Sequence, residues 1–201
     1  MVREMDIYDV DHVVAIHLRS FSGFFLSFLG YQFLKAYYSA VCYAADGLRF
    51  VFLDESGKIA GFVVGASNPR GFYSRLLKRD WYKFAAASVE AIFRNPLIIP
   101  RLLRALLFPG SNPVGLHVAG LFSIAVSPSD QTKGGGTMLL SAFIAEAGRR
   151  GCKQIVLTTD KDNNDAVNKF YVKNGLEVSR QYSTPEGRQM NEYCLDIALH
   201  A

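Results

Sequence analysis

The stretch that most constrains this chain runs from Leu121 to Leu140: Leu-Phe-Ser-Ile-Ala-Val126, then Ser-Pro-Ser-Asp, then Gln131-Thr-Lys-Gly-Gly-Gly136-Thr137, then an apolar helical run. Pro128 has no N–H for a ladder, so the strand ends before it. Strand, glycine turn and helix in that order form an anion cradle. The turn aims backbone N–H groups inward, the helix N-terminus adds the positive end of its dipole, and the absent Cβ atoms let a ligand approach. Two common cradles do not fit. A phosphate-binding Gly-Lys-Ser/Thr is missing, because Thr137 follows Gly136, and a dinucleotide fingerprint would need a small residue where Leu139 stands.

Downstream, Asn164-Asp-Ala-Val-Asn-Lys-Phe-Tyr171-Val-Lys-Asn-Gly175-Leu follows a good strand, Lys153–Thr159. The pair of motifs, Val-x-Pro-x-x-Gln-x-x-Gly-x-Gly and then Asn…Phe-Tyr-x-x-x-Gly, resembles the GCN5-related N-acetyltransferases (GNAT). The resemblance is specific from about Leu121 to Leu195, looser from Val2 to Gly65, and absent from about Arg70 to Pro113. It implies an α/β (α+β) fold: a central, mixed but mostly antiparallel sheet, splayed where acetyl-CoA enters, with helices on both faces.

The resemblance also implies roles for residues. Gln131, Thr132, Lys133, Gly134, Gly135, Gly136 and Thr137 would hold the pyrophosphate of acetyl-CoA. Ile124, Ala125 and Val126 would pair with the pantetheine arm like another strand, and a backbone N–H near Ile124 would polarise the thioester carbonyl. Asn164 would cap its helix and touch the pantetheine. Tyr171 would be the general acid that protonates the departing thiolate. Read without the family, Tyr171 is a packed helix aromatic and the glycine turn an ordinary connection.

The general base is where the pattern thins. No acid lies between Pro113 and Val126, so His117 is the one group on that strand with a suitable pKa. Ser123, a water chain or Glu90 are the alternatives. Cys42, Cys152 and Cys194 are three, far apart, and in no nucleophile–base pattern. They suggest reduced thiols in a cytoplasmic protein, direct attack of amine on thioester, and no metal site.

Helical spacing predicts an N-terminal helix over Asp6–Phe21, capped by Asp9 or Asp11, with His17 on its core side. It predicts a second helix over Phe24–Tyr43. Leu48–Leu53 and Lys58–Val64 read as a hairpin, and Leu176–Ser183 with Gln189–Ile197 as a closing one.

Residues 70–113 are an insert of two or three short helices: Phe72–Arg79, Trp81–Arg94 and Pro100–Phe108. From Arg70 to Pro109 it carries eight basic residues against two acids, a larger surplus than the +4 of all 201 residues. Charge confined to one segment argues against nucleic acid as a partner. A basic amphipathic segment has three uses: peripheral membrane contact, a wall for an anionic acceptor, or a homodimer interface. Its plain alternative is packing on the protein's own core.

With 50% hydrophobic and 20% charged residues, the chain reads as one soluble domain over residues 1–201. The function expected is acetyl transfer from acetyl-CoA to a primary amine, with an amino sugar or sugar nucleotide as acceptor. A peptide or other small amine, and a non-catalytic acyl-CoA sensor, are the rivals.

Overall fold

The computed structural model describes residues 1–94, 115, 117–127 and 134–197, without the side chains of Phe25 and residues 90–94. Seven strands form one sheet in the order β1-β2-β3-β4-β5-β7-β6. They are β1 (Val2–Glu4), β2 (Gly47–Leu53), β3 (Ile59–Ala66), β4 (Val118–Val126), β5 (Gln154–Asp160), β6 (Glu177–Ser183) and β7 (Gln189–Asp196). All neighbours are antiparallel except β4 and β5. That parallel pair needs a crossover, supplied by α5 (Gly135–Arg149).

Helices α1 (Val10–Ser20), α2 (Phe25–Phe28), α3 (Gly30–Cys42) and α4 (Phe72–Arg94) precede it, and α6 (Asp165–Lys173) follows β5. Two cores result. Val13, Val14, Leu34, Tyr38 and Phe72 of the α1/α3/α4 layer pack on Phe62, Val64 and Ala125. Leu139, Leu140 and Phe143 of α5, with Tyr171 of α6, pack on Val63, Leu121, Ile155 and Tyr193. Alternation along the strands divides the apolar residues between the two faces.

Local sequence explains the departures from the expected elements. The N-terminal helix starts as a 3₁₀ turn, Ile7–Asp9, closed by a capping box between Asp6 and Asp9. Asp6, not Asp9 or Asp11, is thus the capping side chain, and the Asp9 carboxylate is taken by Arg3 at 2.6 and 2.8 Å. The second helix divides at Leu29–Gly30, where Gly30 sits at φ +82°. In the insert, Phe72–Arg79 and Trp81–Arg94 join into one helix kinked at Asp80 (φ −118°, ψ 27°). Asp80 is buried there between Arg79 (2.7 Å) and Lys83 (2.8 Å). Phe72, Leu76 and Phe84 pack inward, while Trp81 and Tyr82 remain exposed. The expected helix Pro100–Phe108 lies outside the described residues. Strand β1 was not foreseen; it pairs Val2–Glu4 with Phe50–Phe52. No described helix is long and apolar enough to cross a membrane.

Candidate active site

Strands β4 and β5 pair over three residues only: Val118 with Gln154, Ala119 with Ile155 and Gly120 with Val156. Beyond Gly120, β4 follows β3 up to Val126, while β5 follows β7 up to Asp160. From Leu121 to Val126, β4 therefore faces no partner strand on its β5 side among the described residues. The sheet opens into a wedge at the carboxyl ends of two parallel strands, where an extended ligand can supply the missing ladder.

A bulge sits at the mouth of this wedge. Val64 pairs with Ser123 and Gly65 with Leu121, so Phe122 is an extra residue in β4. Leu121 and Ile124 face the α5/α6 layer, whereas Phe122 faces the α1/α3/α4 layer. Ser123 is opposite Val64, which belongs to that same helical layer. The bulge thus turns two successive side chains, Phe122 and Ser123, to one face.

The glycine turn lies at the same end. Helix α5 begins at Gly135, three residues before the apolar run suggested, so Gly135 and Gly136 form its first turn. Gly134 stands at the N-cap with φ +101°, a conformation that favours glycine, and no side chain caps the helix. Among the described residues, no side chain is seen to cap its first N–H groups. A Cβ on Gly135 would come within 2.9 Å of the Phe52 ring, and one on Gly136 within 3.2 Å of Phe170. These glycines therefore bring the helix start against β2 and α6 while leaving its N–H end open for a diphosphate. The cradle fits acetyl-CoA on these grounds. Gln131, Thr132 and Lys133 lie outside the described residues.

A Cβ on Gly136 would also stand 4.0 Å from Val126 Cγ2. Val126, Gly136 and Phe170 thus lie near one another, with Tyr171 beside Phe170. Tyr171 is buried, with its ring 5.3 Å from that of Phe170 and 5.4 Å from that of Tyr193. Its hydroxyl bonds to no described residue. Burial, and to a lesser degree Tyr193, push its pKa above the ordinary 10.0, so the phenol keeps its proton.

Helix α6 is held at the wedge by two asparagines one turn apart. Asn164 stands at the N-cap position but makes no side-chain cap. Its Nδ2 instead donates to Thr159 Oγ1 (2.8 Å) and Asp160 O (3.0 Å). The expected capping is corrected here: the amide grips the end of β5. Asn168 was missed by the motif reading. Its Nδ2 donates to the carbonyls of Asp160 (3.1 Å) and Lys161 (3.2 Å), and its Oδ1 accepts from Asn191 (3.1 Å) and Tyr193 (2.9 Å). The signal was its position, three residues before Tyr171 on one helical face.

His117 does not join this group. It is exposed at φ +66° before β4, and its carbonyl accepts from Lys153 (2.7 Å) where the parallel pairing starts. Seven residues of strand separate it from Ile124, roughly 23 Å at about 3.3 Å each. It sits at the wrong end of β4 to be the base. Glu90 lies on α4 with its side chain outside the description. Burial raises the pKa of all three thiols, to about 11 for Cys42, so none is an activated nucleophile. Among the described residues no cluster could hold a metal ion.

A different histidine does lie near the bulge. His17 of α1 is buried, and its Nδ1 shares a hydrogen with the Tyr38 hydroxyl at 2.7 Å. Tyr38 in turn neighbours Ser123. Burial lowers the His17 pKa to about 4, so its imidazole is neutral.

Comparison with known proteins agrees with this geometry. The fold matches the ribosomal-protein-S18-alanine N-acetyltransferase of Escherichia coli (TM-score 0.57, 20% identity, 98% of this chain and 93% of that one). It matches an N-acetyltransferase from Staphylococcus aureus Mu50 (0.61, 18%, 98% of each). It also matches Salmonella typhimurium yncA, solved with its cofactor acetyl-CoA (0.60, 16%, 98% and 93%). At such identities the likeness is one of fold. No curated protein shows significant sequence similarity. A family model, "Acetyltransferase (GNAT) family", matches residues 13–176, spanning β4, the glycine turn and α6. The chain belongs to the GNAT family and is an acetyl-CoA-dependent N-acetyltransferase.

Proposed function

We propose that this acetyltransferase acts, as one domain over residues 1–201, on the primary amine of a small polar molecule of the amino-sugar class, by direct attack on the thioester. The observation that carries direct transfer is the wedge. It gives an extended cofactor arm an open β4 edge, and Tyr171, a protonated phenol packed in the same core as Leu121 and Ile124, is the acid this reading assigns to it. The thiols, all shifted upward by burial, offer no acyl-enzyme route.

Acetyl-CoA supplies an activated acetyl group and a thiolate leaving group. The backbone at Gly134–Thr137, with Gln131–Lys133, holds its diphosphate. A backbone N–H at Ile124 or Ala125 orients the thioester carbonyl and stabilises the charge that develops on it. Tyr171 hands its proton to the departing sulfur and regains one from solvent, which receives the proton the amine loses. The amine arrives as the free base, a C–N bond forms as the C–S bond breaks, and the nitrogen loses one proton to solvent. A phenol with a raised pKa is a weak acid towards water, but a thiolate in the same desolvated wedge is equally unfavourable, so the transfer stays matched.

The peptide-amine reading has one support: the Escherichia coli neighbour is, by name, an alanine acetyltransferase of a ribosomal protein. The test is a panel of glucosamine, spermidine and an alanine-terminated peptide, read by thiol release from acetyl-CoA. Turnover with glucosamine above the others supports the reading, and a preference for the peptide replaces it. Acetyl-CoA binding without turnover on any amine would leave the sensor.

A further inference from the structure

Helix α4 is apolar on two sides, and the described residues cover one of them. Phe72, Leu76 and Phe84 are buried, and the Phe84 ring lies 5.3 Å from that of Phe33 on α3. The other side is open. Trp81 is 67% exposed, Tyr82 56% and Val89 49%, and Ala85 and Ala86 are exposed with them. Trp81, Ala85 and Val89 follow one another at four-residue spacing, and Tyr82 and Ala86 run beside them, so the five share one face. Single exposed apolar residues are ordinary on a protein surface. A tryptophan, a tyrosine and a valine on one face mark a surface that meets something.

The face is fixed outward. At the kink the Asp80 carboxylate is buried between Arg79 (2.7 Å) and Lys83 (2.8 Å). Arg79 also donates to the carbonyls of Ala40 (2.8 Å) and Tyr43 (3.0 Å), which ties α4 to the end of α3. Tyr43 is itself exposed beside this junction.

The surroundings of the face are basic. Residues 72–89 hold Arg75, Lys78, Arg79 and Lys83 against one acid, Asp80. Asp46 pairs with Arg75, and Asp80 is shared by Arg79 and Lys83, so these two carboxylates do not neutralise the four cations. Lys78 and Lys83 are exposed, and the Lys83 ammonium stands 5.6 Å from the centre of the Tyr82 ring. A second copy of the chain suits such a face poorly. A two-fold contact would set the lysines of one copy against those of the other, and lysine is depleted from the centres of protein interfaces. An anionic bilayer suits it well. Tryptophan and tyrosine rings lodge at headgroup depth, lysine stems lie along apolar surface, and their ammonium groups reach lipid phosphates.

We infer that the exposed face of α4 docks the protein on an anionic phospholipid bilayer, lying on the surface without crossing it. Trp81, Tyr82 and Val89 enter the headgroup boundary, and Lys78 and Lys83 meet the phosphates. Helix α4 belongs to the layer that Phe122 faces, so docking turns that side of the sheet to the lipid. Helix α5 and its glycine turn, on the opposite face of the sheet, stay clear of it. This docking is independent of the acceptor proposed above.

Trp81 is the only tryptophan, so its fluorescence in the full-length protein reports on this face and no other. The probe is vesicles of phosphatidylglycerol with phosphatidylcholine, compared with phosphatidylcholine alone, at low salt. Expected are a blue shift of Trp81 emission and co-sedimentation with the anionic vesicles only, both lost at high salt. Lys78→Gln combined with Lys83→Gln leaves Arg79 on Asp80 and should weaken partitioning roughly thirtyfold. Trp81→Ser combined with Tyr82→Ser should also lower co-sedimentation, with the melting temperature and its shift by acetyl-CoA as in wild type. Trp81 emission that neither vesicle changes overturns the docking, as does equal binding to the neutral vesicles or a lysine variant that binds within twofold of wild type. Emission that shifts with protein concentration in the absence of lipid, alongside a dimer in solution, gives the face to a second copy and overturns it too. Should the lysine variant not fold, the wild-type comparison of the two vesicles decides alone.

Discussion

Replacing Asn168 with Ala tests how the acid is held. The change removes four hydrogen bonds of 2.9–3.2 Å. It leaves the Tyr193 hydroxyl and the Asn191 amide without that acceptor in a partly buried setting, and two carbonyls that water can reach. Counting the two donors at about 1–2 kcal/mol each and the carbonyls at little gives about 2–4 kcal/mol of lost stability. For a chain of this length about 1 kcal/mol moves Tm by about 2–4 °C, so the fall should be roughly 4–16 °C. The Tyr193 hydroxyl is tied to Asn168 while its ring lies 5.4 Å from Tyr171, so the ring of Tyr171 loses a fixed backing. Turnover should drop by more than the affinity for acetyl-CoA, since the cradle at Gly134–Gly136 does not touch Asn168. Thermal unfolding and steady-state kinetics on the same preparations measure both. A Tm within about 1 °C of wild type would refute the hydrogen-bond accounting. A wild-type kcat in a destabilised variant would refute the link from Asn168 to Tyr171.

Tyr171→Phe should lower kcat by about 10²–10⁴-fold and leave acetyl-CoA affinity nearly unchanged; wild-type turnover at every pH would make Tyr171 a packing residue. Gly136→Glu places a charge in the cradle and a Cβ 3.2 Å from Phe170, so thermal stabilisation by acetyl-CoA should vanish; a retained shift would move the diphosphate elsewhere. His17 has a folded pKa of about 4 against an ordinary 6.5, so the unfolded chain binds the extra proton between those values and stability must fall as pH drops from 6.5 to 4. That loss is on the order of 3 kcal/mol, and His17→Gln should flatten it; equal pH slopes in the two proteins would contradict the buried neutral imidazole. Reversing Arg101 and Arg104 to Glu should raise the acceptor KM and spare acetyl-CoA binding if the insert walls the acceptor site, whereas loss of co-sedimentation with anionic liposomes would mark it as a membrane contact.

The cofactor half of the site was legible in the sequence because it depends on backbone. A strand that ends at Val126, glycines at a helix start and a strand before Asn164 each have a local cause, and the fold contains all three. The acceptor half was not legible. The side chains that face Phe122 and Ser123 come from α3 and α4, and no local pattern in the sequence reports that meeting. His17 read as a helix-face residue near the core, which its burial matches, but its lone Nε2 depends on what packs across from it. His117 drew attention by type and strand, and failed because pairing with β5 begins beside it, at the closed end of the wedge. Asn164 was given a capping role by position, yet the carbonyl of Asp160, four residues earlier at the end of β5, takes its amide. The bulge at Phe122 could not be read at all, since it exists only in the register with β3.

The central claim is that an open β4 edge, a glycine-started helix and Tyr171 together move an acetyl group to an amine. The most direct measurement is release of coenzyme A thiol from acetyl-CoA with glucosamine, spermidine or an alanine-terminated peptide, with mass-spectrometric identification of the acetylated product, in wild type and Tyr171→Phe. The account predicts amine-dependent thiol release, a matching N-acetylated product, and loss of both in the variant. Thiol release that ignores the amine, or none with any of the three while acetyl-CoA binds, would contradict it.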